Sequence, residues 1–310
     1  MRGLVEVILT RVQVRERVSV GLPTNFNPHL PKAFSMSYIT LPATDHRAPL
    51  CLYFEHFAGS RGAEPLILLH ELGGSLESWY PFIRSLGKRF DIFAFDQRCA
   101  GRSEHLTKAF TLWDLADDAV AFADAVGIEG KFALMGMAMG AVTAAHVGVR
   151  YGARLSALVL CDGTPHIDAN SSSYILNRAA KVRREGMQVV ADTSYRNAFK
   201  GLLDNPATDT GWGQYRERFI CNPPISYAMQ SEALAGFHLS EEEYASILVP
   251  TLVLTGEHDF IWTPAAGEML ASKIPGARFE TVLGAAHFPP LQFPEVVASR
   301  VSQFLRMENN

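Results

Sequence analysis

The chain has 310 residues, 48% of them hydrophobic and 19% charged, with a formal net charge of −4. That length can bury one large core, or a core with a modest cap. The charge balance offers no basic face for nucleic acid, and no run reaches the roughly 18 apolar residues that would span a bilayer. Cys51, Cys99, Cys161 and Cys221 are far apart with no C-x-x-C pair. They read as reduced thiols of a cytoplasmic protein. Residues 1–10 lack the continuous apolar stretch of a signal peptide.

In chain order, Val12, Val14, Val18 and Val20 alternate with polar residues before Pro23, Pro28 and Pro31 break the pattern. We read 1–33 as an N-terminal arm: an added edge strand, an oligomer contact or a disordered leader. Strands are expected at 34–41 and 50–56. Short apolar runs without alternation follow at 66–70, 90–96, 132–136, 158–162 and 251–256, the pattern of strands buried on both faces of a parallel sheet. A helix is expected over 111–126, with Thr111 as N-cap and Asp114 placed for a capping box. A last helix starts near Pro294. This order predicts an α/β fold, a mostly parallel twisted sheet flanked by helices, over 34–163 and 248–310. Residues 164–247 interrupt it with many charges and aromatics (Tyr174, Tyr195, Trp212, Tyr215, Phe219, Tyr227). They read as a helical lid over the crevice at the strand ends.

The strongest local signal is Gly136-Met137-Ala138-Met139-Gly140, between an apolar strand and a small-residue helix. A nucleophile elbow has this form, with serine at its centre and glycines permitting a tight turn. Close packing of a helix start is the plainer reading of such glycines. A methyl group cannot be deprotonated, so Ala138 marks a nucleophile position without a nucleophile. Asp259 follows a buried strand, and His287 follows the next. Nucleophile, acid and histidine in that order match a hydrolase triad, with His287 as general base and Asp259 holding its tautomer. Asp162, at another strand end, is the alternative acid. Upstream, His70-Glu71-Leu72-Gly73-Gly74-Ser75 ends a strand in a glycine-bearing loop, and the Leu72 and Met139 N–H groups form the expected oxyanion hole. Glu71, Met137 and Trp212 are expected to touch substrate. The loop from Asp96 to Ser103 reads as structural support. No histidine falls at ligand spacing with cysteines or carboxylates, so no metal is expected.

From about residue 50 to 305 the chain resembles the α/β-hydrolase superfamily, and within it the 3-oxoadipate enol-lactonase branch. The resemblance rests on the 70–75 loop, the Asp96–Ser103 loop, the elbow, Asp259 with His287, and the lid entry Arg178 to Met187. It implies a cofactor-free serine hydrolase of a lactone, ester or related carbonyl compound. Three departures stand out: Glu71 where glycine often follows the histidine, Cys99-Ala100 where Gly-His is usual, and Ala138 in place of serine.

Two histories explain Ala138: a Ser→Ala substitution made to trap substrate, or a natural lineage that kept the pocket without hydrolysis. The intact Asp259, His287 and elbow glycines favour the substitution, since a drifting site erodes together. The expected function is therefore hydrolysis of a small lactone or ester in a catabolic pathway, with the chain as written binding but not turning over. Hydrolysis of a carbon–carbon bond in a ring-cleavage product is the alternative enzyme. Inward-facing arginines would favour it, and the lid offers Arg178, Arg183, Arg184, Arg196, Arg216 and Arg218. A ligand-binding protein on the same scaffold is the non-enzymatic reading. The expected partner is a small-molecule substrate, with a homodimer left open.

Overall fold

The computed structural model describes residues 35–44, 48–203 and 213–308. The N-terminal arm expected over 1–33 lies outside the described residues, and so does Trp212.

Among the described residues, eight strands form one sheet: β1 (Ser35–Leu41), β2 (Leu50–Phe57), β3 (Pro65–Leu69), β4 (Asp91–Phe95), β5 (Phe132–Met137), β6 (Leu155–Cys161), β7 (Thr251–Gly256) and β8 (Arg278–Val282). Their order is β1-β2-β4-β3-β5-β6-β7-β8. β1 pairs with β2, and β2 with β4, antiparallel; every pairing from β4 to β8 is parallel. Eleven helices accompany them: α1 (Tyr80–Leu86), α2 (Leu112–Ala125), α3 (Met139–Tyr151), α4 (Ala169–Glu185), α5 (Gln188–Ala198), α6 (Gly213–Ile220), α7 (Pro224–Ala235), α8 (Glu241–Ala245), α9 (Pro264–Lys273), α10 (Pro289–Gln292) and α11 (Pro294–Glu308).

The central strands lack polar alternation because each buries both faces. Leu66 and Leu68 of β3, Ala133 and Met135 of β5, and Leu252 and Leu254 of β7 join one apolar layer with Phe82 of α1 and Val297, Val301 and Phe304 of α11. Their neighbours Ile67, Leu134 and Val253 turn the other way, against Leu115, Ala119 and Phe122 of α2 and Val142 and Ala145 of α3. Period-2 geometry thus divides one apolar run between two cores. α2 begins where its cap predicts: Thr111 Oγ1 accepts from Asp114 N–H, and the Asp114 carboxylate accepts from Thr111 N–H.

The 164–247 interruption contains α4 to α8. Gln230 Nε2 donates to the Arg98 carbonyl at 3.1 Å and Asn222 Nδ2 to the Gly73 carbonyl at 2.8 Å, which seats the insertion on two core loops. The Arg98 guanidinium is held by Asp118 at 2.5 Å, and both side chains are buried. No helix among the described residues is long and apolar enough to cross a membrane.

Candidate active site

β5 runs straight into α3 through Ala138, whose φ of 52° and ψ of −115° lie where side chains are disfavoured. The flanking glycines make the turn sterically feasible. A Cβ on Gly136 would sit 2.0 Å from the Gly140 carbonyl oxygen, and one on Gly140 would sit 2.1 Å from that of Leu69. No other residue fits either position. Ala138 N–H donates to the Cys161 carbonyl at 2.9 Å, and its own carbonyl accepts from Ala141 and Val142. The methyl group is therefore held at the first turn of α3, where unpaired backbone N–H groups point outward.

Two further strand ends converge on this turn. His287 Nδ1–H donates to Asp259 Oδ2 at 2.7 Å, and both residues are buried. The other oxygen, Asp259 Oδ1, accepts from the backbone N–H groups of Ile261 (2.8 Å) and Trp262 (3.1 Å). Both carboxylate oxygens are thus occupied, and the imidazole keeps Nε2 for the cavity. The Trp262 ring meets the imidazole edge-on, 5.6 Å between centroids.

Asp162 lies against this pair. Its Oδ1 accepts from Gly256 N–H at 3.1 Å and its Oδ2 from the Cys161 thiol at 3.3 Å. Burial first, then the Asp259 charge, push its carboxyl well above the usual carboxylate range. Donor atoms of Asp162, Asp259 and His287 fall within 4.8 Å of one another. Spacing along the chain had suggested no such cluster, because it is assembled from three strand ends. Two of its three members, His287 and Asp259, are already joined by their own hydrogen bond.

The 70–78 loop is locked by His70. Gln97 N–H donates to its Nε2 (3.0 Å), so Nδ1 carries the proton and donates to the Glu71 carbonyl (2.8 Å). Burial holds this imidazole below its usual 6.5, neutral as both bonds require. Glu71, Leu72, Ala138, Met139, His287 and Trp262 line one cavity of about 510 Å³. That size suits a small organic ligand.

The insertion supplies the rest of the wall, including four of the six aromatics singled out in its sequence: Tyr174, Tyr215, Phe219 and Tyr227. Of its arginines, Arg178 lines the cavity. Its guanidinium reaches Ser194 Oγ (2.5 Å) and the hydroxyls of Tyr227 (3.2 Å) and Tyr174 (3.4 Å). Among the described residues its hydrogen-bond partners are these three hydroxyls. Arg183 and Arg216 instead pair with Glu232 and Asp192.

Met137 departs from expectation. As the last residue of β5 it points into the layer beneath the sheet, fully buried among Leu68, Met135 and Val159, and it does not line the cavity. Met139, the first residue of α3, does line it. Ser194, Phe288 and Trp262 escaped sequence reading, and Arg178 stood only as one of six candidates. A polar helix shows several arginines without indicating which one faces inward.

The chain belongs to the α/β-hydrolase fold family, whose model matches residues 64–294. It is 28% identical to 3-oxoadipate enol-lactonase 1 of Acinetobacter baylyi over 252 residues, 80% of this chain and 91% of that enzyme. Among solved structures it is similar to a thermophilic esterase from Thermogutta terrifontis with malate bound (TM-score 0.81, 27% identity, covering 89% of this chain and 100% of that one). It is also similar to the enol-lactonase from Burkholderia xenovorans LB400 (TM-score 0.76, 28% identity, covering 83% and 97%).

Proposed function

We propose that the cavity is the active site of a serine-type hydrolase for a small, carboxylate-bearing lactone or ester, of the kind met in catabolic pathways. The covalent step belongs to a serine at 138. The observation that carries this reading is the 2.7 Å His287–Asp259 pair sharing one cavity with Ala138 at positive φ. With serine there, His287 Nε2 takes the hydroxyl proton as Oγ attacks the carbonyl, and the N–H groups of Leu72 and Met139 hold the oxyanion. The imidazolium, balanced by Asp259, then protonates the leaving oxygen. With Ala138 no acyl-enzyme forms. The 164–247 insertion acts as lid.

Arg178 supplies the substrate class. A guanidinium that lines the cavity and is bonded only to neutral hydroxyls among the described residues has donors and charge left for a carboxylate. Enol-lactonase and malate-bound esterase relatives agree with such a ligand. Assaying A138S on lactones and on monoesters of dicarboxylic acids tests the reading. Turnover with an acyl adduct on residue 138 supports it, and neither turnover nor adduct on any member refutes it. Because Arg178 faces inward, carbon–carbon hydrolysis of a carboxylate-bearing ring-cleavage product is the second reading. The same variant, offered such a diketone, separates the two.

A further inference from the structure

A short dicarboxylate accounts for only one end of the cavity. Asn170, Ser171, Tyr174, Ile175 and Arg178 of α4 line it, one stripe along the helix. At 1.5 Å of rise per residue, Asn170 and Arg178 stand about 12 Å apart. α7 runs antiparallel against α4: Ser172 Oγ donates to the Ala235 carbonyl at 3.0 Å, and Arg178 Nη2 to the Tyr227 hydroxyl at 3.2 Å. The lining residues of α7 therefore divide, Tyr227 beside Arg178 and Leu234 nearer the start of α4.

The Arg178 end adjoins the catalytic groups. A Cβ on Gly73, the residue after Leu72, would stand 3.0 Å from the Tyr227 ring. On α5, Ser194 bonds Arg178, while Ala198, one turn on, accepts from His287 N–H at 3.2 Å. The charge-bearing lining residues among those described, Glu71, Arg178 and His287, all belong to this end. Farther along α4 the walls include Ile175 and Leu234, and Asn170 and Ser171 reach solvent. Phe260 and Ile261 line the same cavity yet are 42% and 40% exposed. Adjacent apolar side chains that continue a cavity into solvent mark a surface a ligand covers.

We propose that the substrate is a dicarboxylate monoester of a medium-length alkyl alcohol, its tail lying along α4 against Ile175 and Leu234. The proposal rests on the reading of the cavity as a site for a carboxylate-bearing ester. The free carboxylate takes Arg178, the ester carbonyl takes the Ala138 turn, and the alkyl chain runs to the open end.

Calorimetric titration of the Ala138 chain with monoethyl, monobutyl, monohexyl and monooctyl succinate tests this without turnover. Affinity should rise about threefold per methylene, about 100-fold from ethyl to hexyl, and level off once the tail clears the mouth. A flat series overturns the proposal. Ile175→Trp distinguishes this path from adhesion elsewhere: the indole should abolish the preference for hexyl over ethyl, and a preference that persists refutes the path. If that variant does not fold or binds neither ester, a diazirine at the tip of the tail answers in the unmutated chain. Irradiation should label peptides bearing Ser171, Ile175 or Leu234, and labelling confined to other peptides overturns the assignment. A flat series with A138S turning over the ethyl ester sinks the tail and spares the serine reading. A rising series with A138S inert toward every member does the reverse. If no ester binds, both fall.

Discussion

Ala138, Asp259 and His287 stand on or just beyond the ends of β5, β7 and β8, where sheet hydrogen bonds and close-packed glycines fix each loop. Arg178, Ser194 and Tyr227 stand on α4, α5 and α7, and Arg178 meets the other two through side-chain hydrogen bonds. The first group, the floor of the cavity, tolerates almost no change in backbone. The second, its roof, can be altered at the ligand while the fold stays intact. On the proposed reading, chemistry is held by the rigid layer and ligand choice by the adjustable one.

The largest expected effect breaks the floor. Gly140→Ala forces a methyl to within 2.1 Å of the Leu69 carbonyl, and neither β3 nor α3 can retreat. We expect a loss of more than about 3 kcal/mol of stability in urea titration, or no soluble protein. A folded variant of unchanged stability would show the elbow to be loose. On the roof, Arg178→Met should leave the melting temperature nearly unchanged and weaken succinate binding by calorimetry about 10- to 100-fold, the scale of a hydrogen bond to a charged group. Equal weakening toward a neutral diester would contradict a charge-reading role.

The smallest effect lies in the floor's own acids. An acid whose folded pKa is raised contributes stability below its ordinary range, near 3.8, and loses it as pH rises through the raised value. Asp162 therefore costs stability at neutral pH. Asp162→Asn keeps an acceptor for Gly256 N–H and a donor toward Asp259. We expect a gain on the order of 1 kcal/mol at pH 8 that vanishes near pH 4. A gain of the same size at both values would assign the effect to packing instead.

The same division explains what the sequence made visible. Asp259 and His287 could be read because each follows a buried strand in family order, and Ala138 because glycines bracket it. Asp162 could be seen only as a rival acid; the upward push on its carboxyl depends on burial that folding creates. Met137 was misread because β5 alternation sends it to the core while Met139 turns to the cavity. Arg178 was one of six lid arginines, and only the docking of α4 against α5 and α7 turns it inward.

The central claim is that the floor is a complete hydrolytic machine except for one oxygen atom. Labelling A138S with a fluorophosphonate, followed by peptide mass spectrometry, tests it most directly, since a serine oxygen displaces fluoride rapidly only when a neighbouring base activates it. The account predicts one stoichiometric adduct on residue 138, absent from the Ala138 chain and slowed at least about 100-fold by adding His287→Ala. No adduct in folded A138S, or labelling indifferent to His287, would contradict it.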